Sequence, residues 1–237
     1  MAVLCYIIRI FMKVAIIVAA GSGKRFGGQL PKQFLILNNQ PVLAHSIEVF
    51  KESGAHVIVV LSPDMVEYWK ELCQQYGMPE HEIVLGGNER YHSVKNAIAA
   101  IPDACALVAI HDAARPAIDV AFVHRMWEAA ERNGSAIPYW PIADSLRMEQ
   151  DGQWKIIDRN LVRSIQTPQC FRWEWIRNAY AGELENTFTD DASVVERMKD
   201  VHLHFELGMA ENIKITQSQD LEIMKSILEN RNNKSEA

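Results

Sequence analysis

Short β-branched apolar runs alternate with helix-periodic segments along the first half of the chain, and few folds accommodate that order. Runs at residues 14–18, 57–61, 83–85 and 106–110 have the length and composition of buried strands. Strands that are apolar throughout and separated by helices favour a parallel sheet with helices on both faces. The sequence therefore predicts an α/β fold around a mostly parallel, twisted sheet.

The segments between these runs carry the spacing of amphipathic helices. In residues 42–50 and again in residues 94–101, apolar or small residues recur every three or four positions, as on one helix face. Pro41 stands where the first turn of a helix tolerates proline. Because no linker or repeat divides the chain, we predict a single domain at residues 13–229, followed by a flexible tail at residues 230–237.

Residues 1–12 are apolar apart from Arg9. A secretory signal would carry its charge ahead of the apolar run, and a membrane span would exclude Arg9 and Lys13. We therefore expect no membrane association. Residues 1–12 are predicted to be a dispensable extension, with Met12 as an alternative start, and residues 13–20 are predicted to form the first core strand.

The charge balance argues against nucleic acid as a partner. The chain has 24 Lys and Arg residues against 30 Asp and Glu residues, a net charge of −6. Sequence-independent nucleic-acid binding needs an excess of cations, so any phosphate chemistry here depends on locally placed Lys and Arg. The four cysteines have no zinc-site spacing, which favours reduced thiols and a cytoplasmic location.

A projecting β-hairpin arm is predicted at residues 144–159. Asp151-Gly152 lies between two alternating runs, which is a strong hairpin signal. An isolated two-stranded hairpin is only marginally stable, so its apolar face needs cover from the body of the domain or from a second subunit. The residues expected to form this apolar face are Leu146, Met148, Trp154 and Ile156.

A glycine-rich loop, AAGSGKRF, follows the first strand. It departs from the dinucleotide fingerprint at Phe26, and from the nucleoside-triphosphate loop at Val18 and Arg25. Backbone amides in such a loop can still hold phosphate, with Arg25 and Lys32 neutralising its charge. The alternative is an ordinary tight turn with a solvated basic flank.

Eight short motifs, in this order, resemble the 2-C-methyl-D-erythritol 4-phosphate cytidylyltransferase family over residues 13–227. They are AAGSGKRF, PKQF, GGNERYHSV, HDAARP, the Asp158-Arg159 pair, TPQ, TDDAS and NIKIT. The resemblance implies a single-domain nucleotidyltransferase-like fold and a homodimer that uses CTP and Mg²⁺ or another divalent cation. It also implies transfer of CMP to a sugar-alcohol phosphate, with release of pyrophosphate.

The resemblance assigns roles to individual positions. Arg25, Lys32 and Lys214 match the cations that bind the triphosphate and stabilise the transition state, and Arg159 matches a residue that reaches the neighbouring subunit's site. Asp112 would assist the metal or the ribose. The implied nucleotide contacts are Ala19, Ala20, Gly21, Ser22, Gly23, Gly87, Asn88, Ser93 and Asp112; the implied contacts to the sugar phosphate are Arg115, Ser145, Arg159, Thr189 and Lys214.

The implied reaction needs cations rather than a general base, because the attacking phosphate is already an oxyanion at neutral pH. Accordingly, His111, at a strand end, is expected to be structural. Asn88 and Ser145 depart from the acidic residue and the threonine that are usual in the family. Alternation in the NIKIT segment is expected to bury its two isoleucines and to turn Asn212, Lys214 and Thr216 to the other face.

Two other functions compete with this one. A ribitol-5-phosphate cytidylyltransferase would share the glycine loop and the cations, but HDAARP and the Asp158-Arg159 pair favour the first reading. A nucleotide-binding regulatory module would have kept the fold and lost catalysis. The intact cations Arg25, Lys32 and Lys214 argue against it, since binding alone tolerates the loss of one.

Overall fold

The computed structural model describes residues 12–21, 30–185 and 187–235, with side chains up to residue 231. Most of the expected extension, residues 1–11, lies outside the described residues, and its dispensability stays a prediction. Met12, by contrast, belongs to the domain, because it is the first residue of the first strand and pairs with Cys105.

The described chain alternates strands and helices in the predicted order. The strands are β1 (Met12–Val18), β2 (Ile36–Leu37), β3 (Gln40–Pro41), β4 (His56–Leu61), β5 (Glu82–Leu85), β6 (Cys105–Asp112), β7 (Ser135–Pro141), β8 (Leu146–Gln150), β9 (Gln153–Ile157), β10 (Arg163–Ile165), β11 (Gln169–Arg172) and β12 (Phe205–Leu207). The helices are α1 (Val42–Glu52), α2 (Val66–Tyr76), α3 (Arg90–Ala100), α4 (Val120–Asn133), α5 (Trp173–Tyr180), α6 (Asp191–Glu196) and α7 (Ser218–Ser235), with short 3₁₀ helices at Lys32–Phe34, Pro63–Met65 and Arg159–Leu161.

One large sheet organises the molecule, with strand order β10-β7-β11-β6-β1-β4-β5 and β12 paired to β7. Strand β1 runs parallel to both β4 and β6, and β5 runs parallel to β4. Within this sheet, only β10 and β11 pair with their described neighbours in the antiparallel sense. The mostly parallel sheet predicted from the apolar runs is confirmed.

Helices cover both faces of this sheet because its central strands are apolar on both sides. Ala15 and Ile17 of β1 pack in one core cluster with residues of α1 and α4, such as Phe50 and Trp127. Val14 and Ile16 point to the opposite face and pack in a second cluster with residues of α3 and α5. None of the described helices combines the length and the apolarity that crossing a membrane requires.

The predicted hairpin is present as β8 and β9, but its predicted apolar face is wrong. Leu146 lies opposite Ile157 and Met148 lies opposite Lys155. Directly opposed residues share one face of an antiparallel pair, so Leu146 and Met148 lie on one face. Trp154 and Ile156 lie on the other face, opposite Glu149 and Arg147.

Two expectations about the C-terminal region also change. Helix α7 continues to Ser235, so it includes most of the residues expected to form a flexible tail. The NIKIT segment is not a strand. Ile215 is buried as expected and Ile213 is half-buried, whereas Asn212 is fully buried instead of sharing the exposure of Lys214.

Candidate active site

A pocket of about 500 Å³ opens where β1, β5 and β6 end. In parallel α/β sheets, the carboxyl ends of the strands form the usual ligand-binding edge. Nine of the positions expected to contact nucleotide or substrate line it: Ala19, Ala20, Gly21, Lys32, Gly87, Asn88, Ser93, Asp112 and Lys214. Three others, Ser22, Gly23 and Arg25, lie outside the described residues.

The loop after β1 forms one wall of this pocket and is held by a neighbouring glutamine. The backbone N–H of Ala19, the first residue after β1, donates to Val60 O at 2.9 Å. This hydrogen bond fixes the position of the chain where it leaves the strand. The side-chain amide of Gln33 then donates to Ala19 O at 2.6 Å and to Gly21 O at 2.9 Å. The first residues of the loop are therefore tied to the short helix that carries Lys32.

The loop after β5 forms the facing wall, and its first glycine permits a close approach. A Cβ atom at Gly86 would lie 2.4 Å from the Cβ of Ala20, so a side chain there would separate the two walls. The backbone N–H of Gly87 donates to Ser93 Oγ at 3.1 Å, which links this loop to the first turn of α3. The expected contacts Gly87, Asn88 and Ser93 thus belong to one compact unit.

Asp112, at the end of β6, is the anionic centre of the pocket. Lys214 Nζ donates to one of its carboxylate oxygens at 2.6 Å, and Arg90 Nε donates to the other at 3.2 Å. Burial alone would raise the pKa of Asp112, but the positive charges of Arg90, Lys214 and Arg115 outweigh burial and hold that pKa far below its usual range. Asp112 is therefore ionised throughout the physiological pH range.

Arg90 extends this network to a second carboxylate, that of Asp191. Its two terminal nitrogens donate to Asp191 at 2.9 and 2.6 Å, and Tyr180 Oη donates to the same carboxylate at 2.6 Å. The Asp191 side chain is fully buried. Arg90 therefore joins the pocket to the start of α6, next to Thr189.

The two expected catalytic lysines approach the pocket from different segments. Lys32 Nζ donates to Ile215 O at 2.5 Å, and Lys214 is the adjacent residue. The Ile215 N–H donates to Ala114 O at 2.8 Å, which ties the NIKIT segment to the loop after β6. Lys32 and Lys214 are thus brought together although they are far apart in sequence.

Four expected substrate contacts do not line this pocket. Arg115 donates to Asn212 O at 2.8 Å and to Ile165 O at 3.4 Å. Thr189 is exposed just before α6, the helix whose N-cap is Asp190. Ser145 and Arg159 are exposed at the base of the arm, where Arg159 donates to Ala143 O.

His111 has the structural role predicted for it. It is fully buried, with Nε2 3.1 Å from Arg115 O and Nδ1 3.0 Å from Thr167 Oγ1. Burial lowers the pKa of His111 to about 4, although the nearby Asp112 carboxylate opposes that shift. The ring is therefore neutral at pH 7 and connects the loop after β6 to Thr167.

The comparison with known families agrees with the order of the motifs. Residues 13–230 match the model of the IspD family, described as 2-C-methyl-D-erythritol 4-phosphate cytidylyltransferase. The chain belongs to that family. It is therefore a nucleotidyltransferase, as the motifs predicted.

Individual relatives support the same assignment over nearly their whole length. A 2-C-methyl-D-erythritol 4-phosphate cytidylyltransferase of Bacteroides thetaiotaomicron is 41% identical over 90% of this chain and 98% of its own. One from Porphyromonas gingivalis is 40% identical over 91% and 97%. The crystal structure of the Thermus thermophilus enzyme of that name superposes with a TM-score of 0.72 at 30% identity, covering 91% of this chain and 98% of that one.

Two residues of the site were missed by the sequence analysis. Arg90 and Gln33 stand within the GGNERYHSV and PKQF motifs, but neither was assigned a role. A signal for Gln33 was available, since it directly follows Lys32 in a conspicuous motif. The partnership of Arg90 with Asp191 had no local signal, because the two residues lie 101 positions apart.

Proposed function

We propose that this chain transfers CMP from CTP to 2-C-methyl-D-erythritol 4-phosphate, giving 4-diphosphocytidyl-2-C-methyl-D-erythritol and pyrophosphate in non-mevalonate isoprenoid biosynthesis. The observation that carries the proposal is the convergence of nine expected contact positions on one pocket, with Lys32 and Lys214 among them. A nucleoside triphosphate bound there would meet backbone amides on one side and cations on the other.

The chemistry follows from the charges. A phosphate oxygen of the sugar alcohol attacks the α-phosphorus of CTP, a new P–O bond forms, and the bond from that phosphorus to the leaving pyrophosphate breaks. No proton has to be removed from the nucleophile. Lys32 and Lys214 neutralise the charge that accumulates on the phosphoryl oxygens, and a preorganised donor of this kind contributes about 10²–10³ in rate. Arg25 stays a further candidate for this role.

Asp112 is the described residue that fits a divalent cation. No group of three His, Cys, Asp or Glu side chains among the described residues forms a metal site by itself. Mg²⁺, however, is commonly held by one or two carboxylates together with substrate phosphates, and one ionised carboxylate in the pocket fits that mode. When bound, the metal would neutralise triphosphate charge; Asp112 would hold it after giving up its contact with Lys214.

We propose that the active unit is a homodimer in which the arm completes the neighbouring site. Ser145 and Arg159 lie on the arm rather than in the pocket, which supports contacts with the sugar phosphate of a neighbouring chain. The exposed fractions of Trp154 and Ile156 are 63% and 79%, which leaves an apolar surface for a second copy to cover. Arg115 and Thr189 remain candidates for the same phosphate.

We further propose that the reaction takes place in the cytoplasm. The described cysteines Cys73, Cys105 and Cys170 are free thiols, which suits a reducing compartment. Burial raises the pKa of Cys73 to about 11 and that of Cys105 to about 12, so neither thiol is reactive at neutral pH.

The test is pyrophosphate release with CTP, Mg²⁺ and each of two polyol phosphates. We expect turnover with 2-C-methyl-D-erythritol 4-phosphate and a much lower kcat/KM with ribitol 5-phosphate. A higher kcat/KM with ribitol 5-phosphate would identify the other cytidylyltransferase. If the protein binds CTP but releases no pyrophosphate with either polyol phosphate, it is a regulatory module.

A further inference from the structure

Three consecutive residues of the short helix Lys32–Phe34 point to three different parts of the molecule. Phe34 is buried in the core, where its ring contacts Tyr68 and Trp69. Lys32 lines the pocket. Gln33 lies between them and is only 4% exposed. Its side-chain amide donates hydrogen bonds to the loop after β1. The turn is therefore anchored on one side while it contacts the site on the other.

We propose that Gln33 is a positioning residue, which fixes the direction of the Ala19 and Gly21 carbonyl groups at the start of the loop after β1. One side-chain amide nitrogen donates to both Ala19 O and Gly21 O. A primary amide has two N–H groups, so each carbonyl receives its own hydrogen bond. The inference rests on the proposed function, because it concerns the loop that would hold the phosphates of CTP.

The direction of a carbonyl matters in this loop. In a trans peptide, the C=O and the following N–H point in opposite directions, so holding Ala19 O against Gln33 also fixes the N–H of Ala20. Ala19, Ala20 and Gly21 all line the pocket. If either carbonyl turned into the pocket, its negative end would face anionic phosphates instead of an N–H group.

The same side chain also sets the distance between the loop and Lys32. Because Gln33 and Lys32 are adjacent, a hydrogen bond from Gln33 to the loop couples the loop amides to the ammonium group. Among the described residues, the other charged ones that line the pocket are Glu89, Arg90, Asp112 and Lys214. None of these four is next to Lys32 in sequence, whereas Gln33 joins the lysine's turn to the glycine loop directly.

Two near-isosteric substitutions separate hydrogen bonding from packing. Gln33→Met keeps the length of the side chain and removes both donors. Gln33→Glu keeps the shape and places a carboxylate against two carbonyl oxygens. Gln74→Glu is the matched control, since it makes the same chemical change at an exposed position of α2. Activity is expressed per folded molecule, with the folded fraction taken from urea denaturation.

We expect both Gln33 variants to lower kcat/KM for CTP by about tenfold to a hundredfold, with Gln33→Glu the more affected. The KM for 2-C-methyl-D-erythritol 4-phosphate should stay within about twofold of the wild-type value, which a general loss of structure would not permit. If Gln33→Glu does not fold, the Gln33→Met result decides.

Wild-type kcat/KM for CTP in Gln33→Met would overturn the inference, as would a rise in the KM for 2-C-methyl-D-erythritol 4-phosphate as large as the loss in kcat/KM for CTP. The proposed function fails in a different way. If neither the wild-type protein nor Gln74→Glu releases pyrophosphate, the function is wrong, whatever the Gln33 variants do.

Discussion

At the residue scale, the site depends on one guanidinium group shared by two carboxylates, one that lines the pocket and one that is fully buried. Arg90 contacts Asp112 in the pocket and Asp191 behind it, and Tyr180 donates a further hydrogen bond to Asp191. A buried charge that loses its partner is costly, because neither water nor another cation replaces the lost interaction. Arg90 therefore contributes to folding as well as to the geometry of the pocket.

Replacing Arg90 should destabilise the protein far more than replacing an exposed arginine. We expect Arg90→Ala to lower the free energy of unfolding by about 3–5 kcal/mol, because Asp191 would be left buried and unpaired. Arg177→Ala, which removes an exposed ion pair with Asp103, should cost less than about 1 kcal/mol. Urea denaturation of both variants at pH 7 measures the difference, and equal losses would refute the role given to Arg90.

His111 should make the protein less stable in acid. Its pKa is about 4 in the folded state and about 6.5 when unfolded, so between these values only the unfolded state takes up the proton. Stability should therefore fall as the pH drops from 6.5 to 4, by about 3 kcal/mol from this residue. His111→Gln removes this contribution.

The check is the free energy of unfolding of wild type and His111→Gln at pH 7 and pH 4.5. The stability advantage of the wild-type protein should shrink, or reverse, at the lower pH. An advantage that does not change with pH would show that the ring takes up its proton equally in both states.

At the element scale, the parts of the fold that could be predicted are those set by local pattern. The apolar runs predicted β1, β4 and β6, because a strand buried on both faces is continuously apolar. They also predicted β5, although this strand lies at the sheet edge and is only half-buried. Strands β10 and β12 have three residues each, and their pairing with β7 depends on distant parts of the chain. A three-residue strand is too short for its alternation of apolar and polar residues to be recognised in the sequence.

The arm shows the same limit. Asp151-Gly152 predicted the turn correctly, and both residues have the positive φ that this turn requires, 53° and 73°. A two-residue loop places even-numbered residues opposite odd-numbered ones. Met148 therefore lies opposite Lys155 rather than Trp154 or Ile156. The four apolar residues expected on one face are thus divided between the two faces of the hairpin. Register, which the loop length determines, had been left out of the prediction.

The candidate site could be predicted largely from the resemblance, and the sheet explains why its pieces meet. The motifs around Ala20, Asn88 and Asp112 follow β1, β5 and β6, and parallel strands bring their carboxyl ends to one edge. The contacts of Gln33 and Arg90 depend on side-chain packing, which no motif spacing encodes.

Ile156 should matter for association and not for folding. Its exposed fraction is 79%, so Ile156→Asp should leave the free energy of unfolding of a single chain almost unchanged. If a second copy covers the arm, a charge there should shift the protein toward monomer in sedimentation velocity. Ile223→Asp, at an exposed position of α7, is the control. A dimer population unaffected by Ile156→Asp would remove the arm from the interface.

At the scale of the whole molecule, two groups of expected site residues lie apart from each other. Lys32 and Lys214 line the pocket, whereas Ser145 and Arg159 are exposed on the arm. Within one chain, these two arm residues therefore do not line the pocket. A two-fold dimer with exchanged arms would bring the two groups together twice.

Mixed dimers test this sharing. Arg159→Ala and Lys32→Ala homodimers should each be nearly inactive. Co-refolding the two variants should give about half mixed dimers, each with one intact site and one doubly altered site, so about a quarter of wild-type activity should return. Mass analysis confirms that mixed dimers formed; if they form and no activity returns, Arg159 serves its own chain.

The central claim is that the cations around this pocket accelerate nucleotidyl transfer, and kcat for Lys32→Ala tests it most directly. Lys70→Ala, at an exposed lysine of α2, is the matched control. Pyrophosphate release is measured with CTP and 2-C-methyl-D-erythritol 4-phosphate, both saturating. Lys32→Ala should lower kcat by about two orders of magnitude or more at unchanged stability, with Lys70→Ala at the wild-type value. A Lys32→Ala variant with wild-type kcat, even with a raised KM, would contradict the claim.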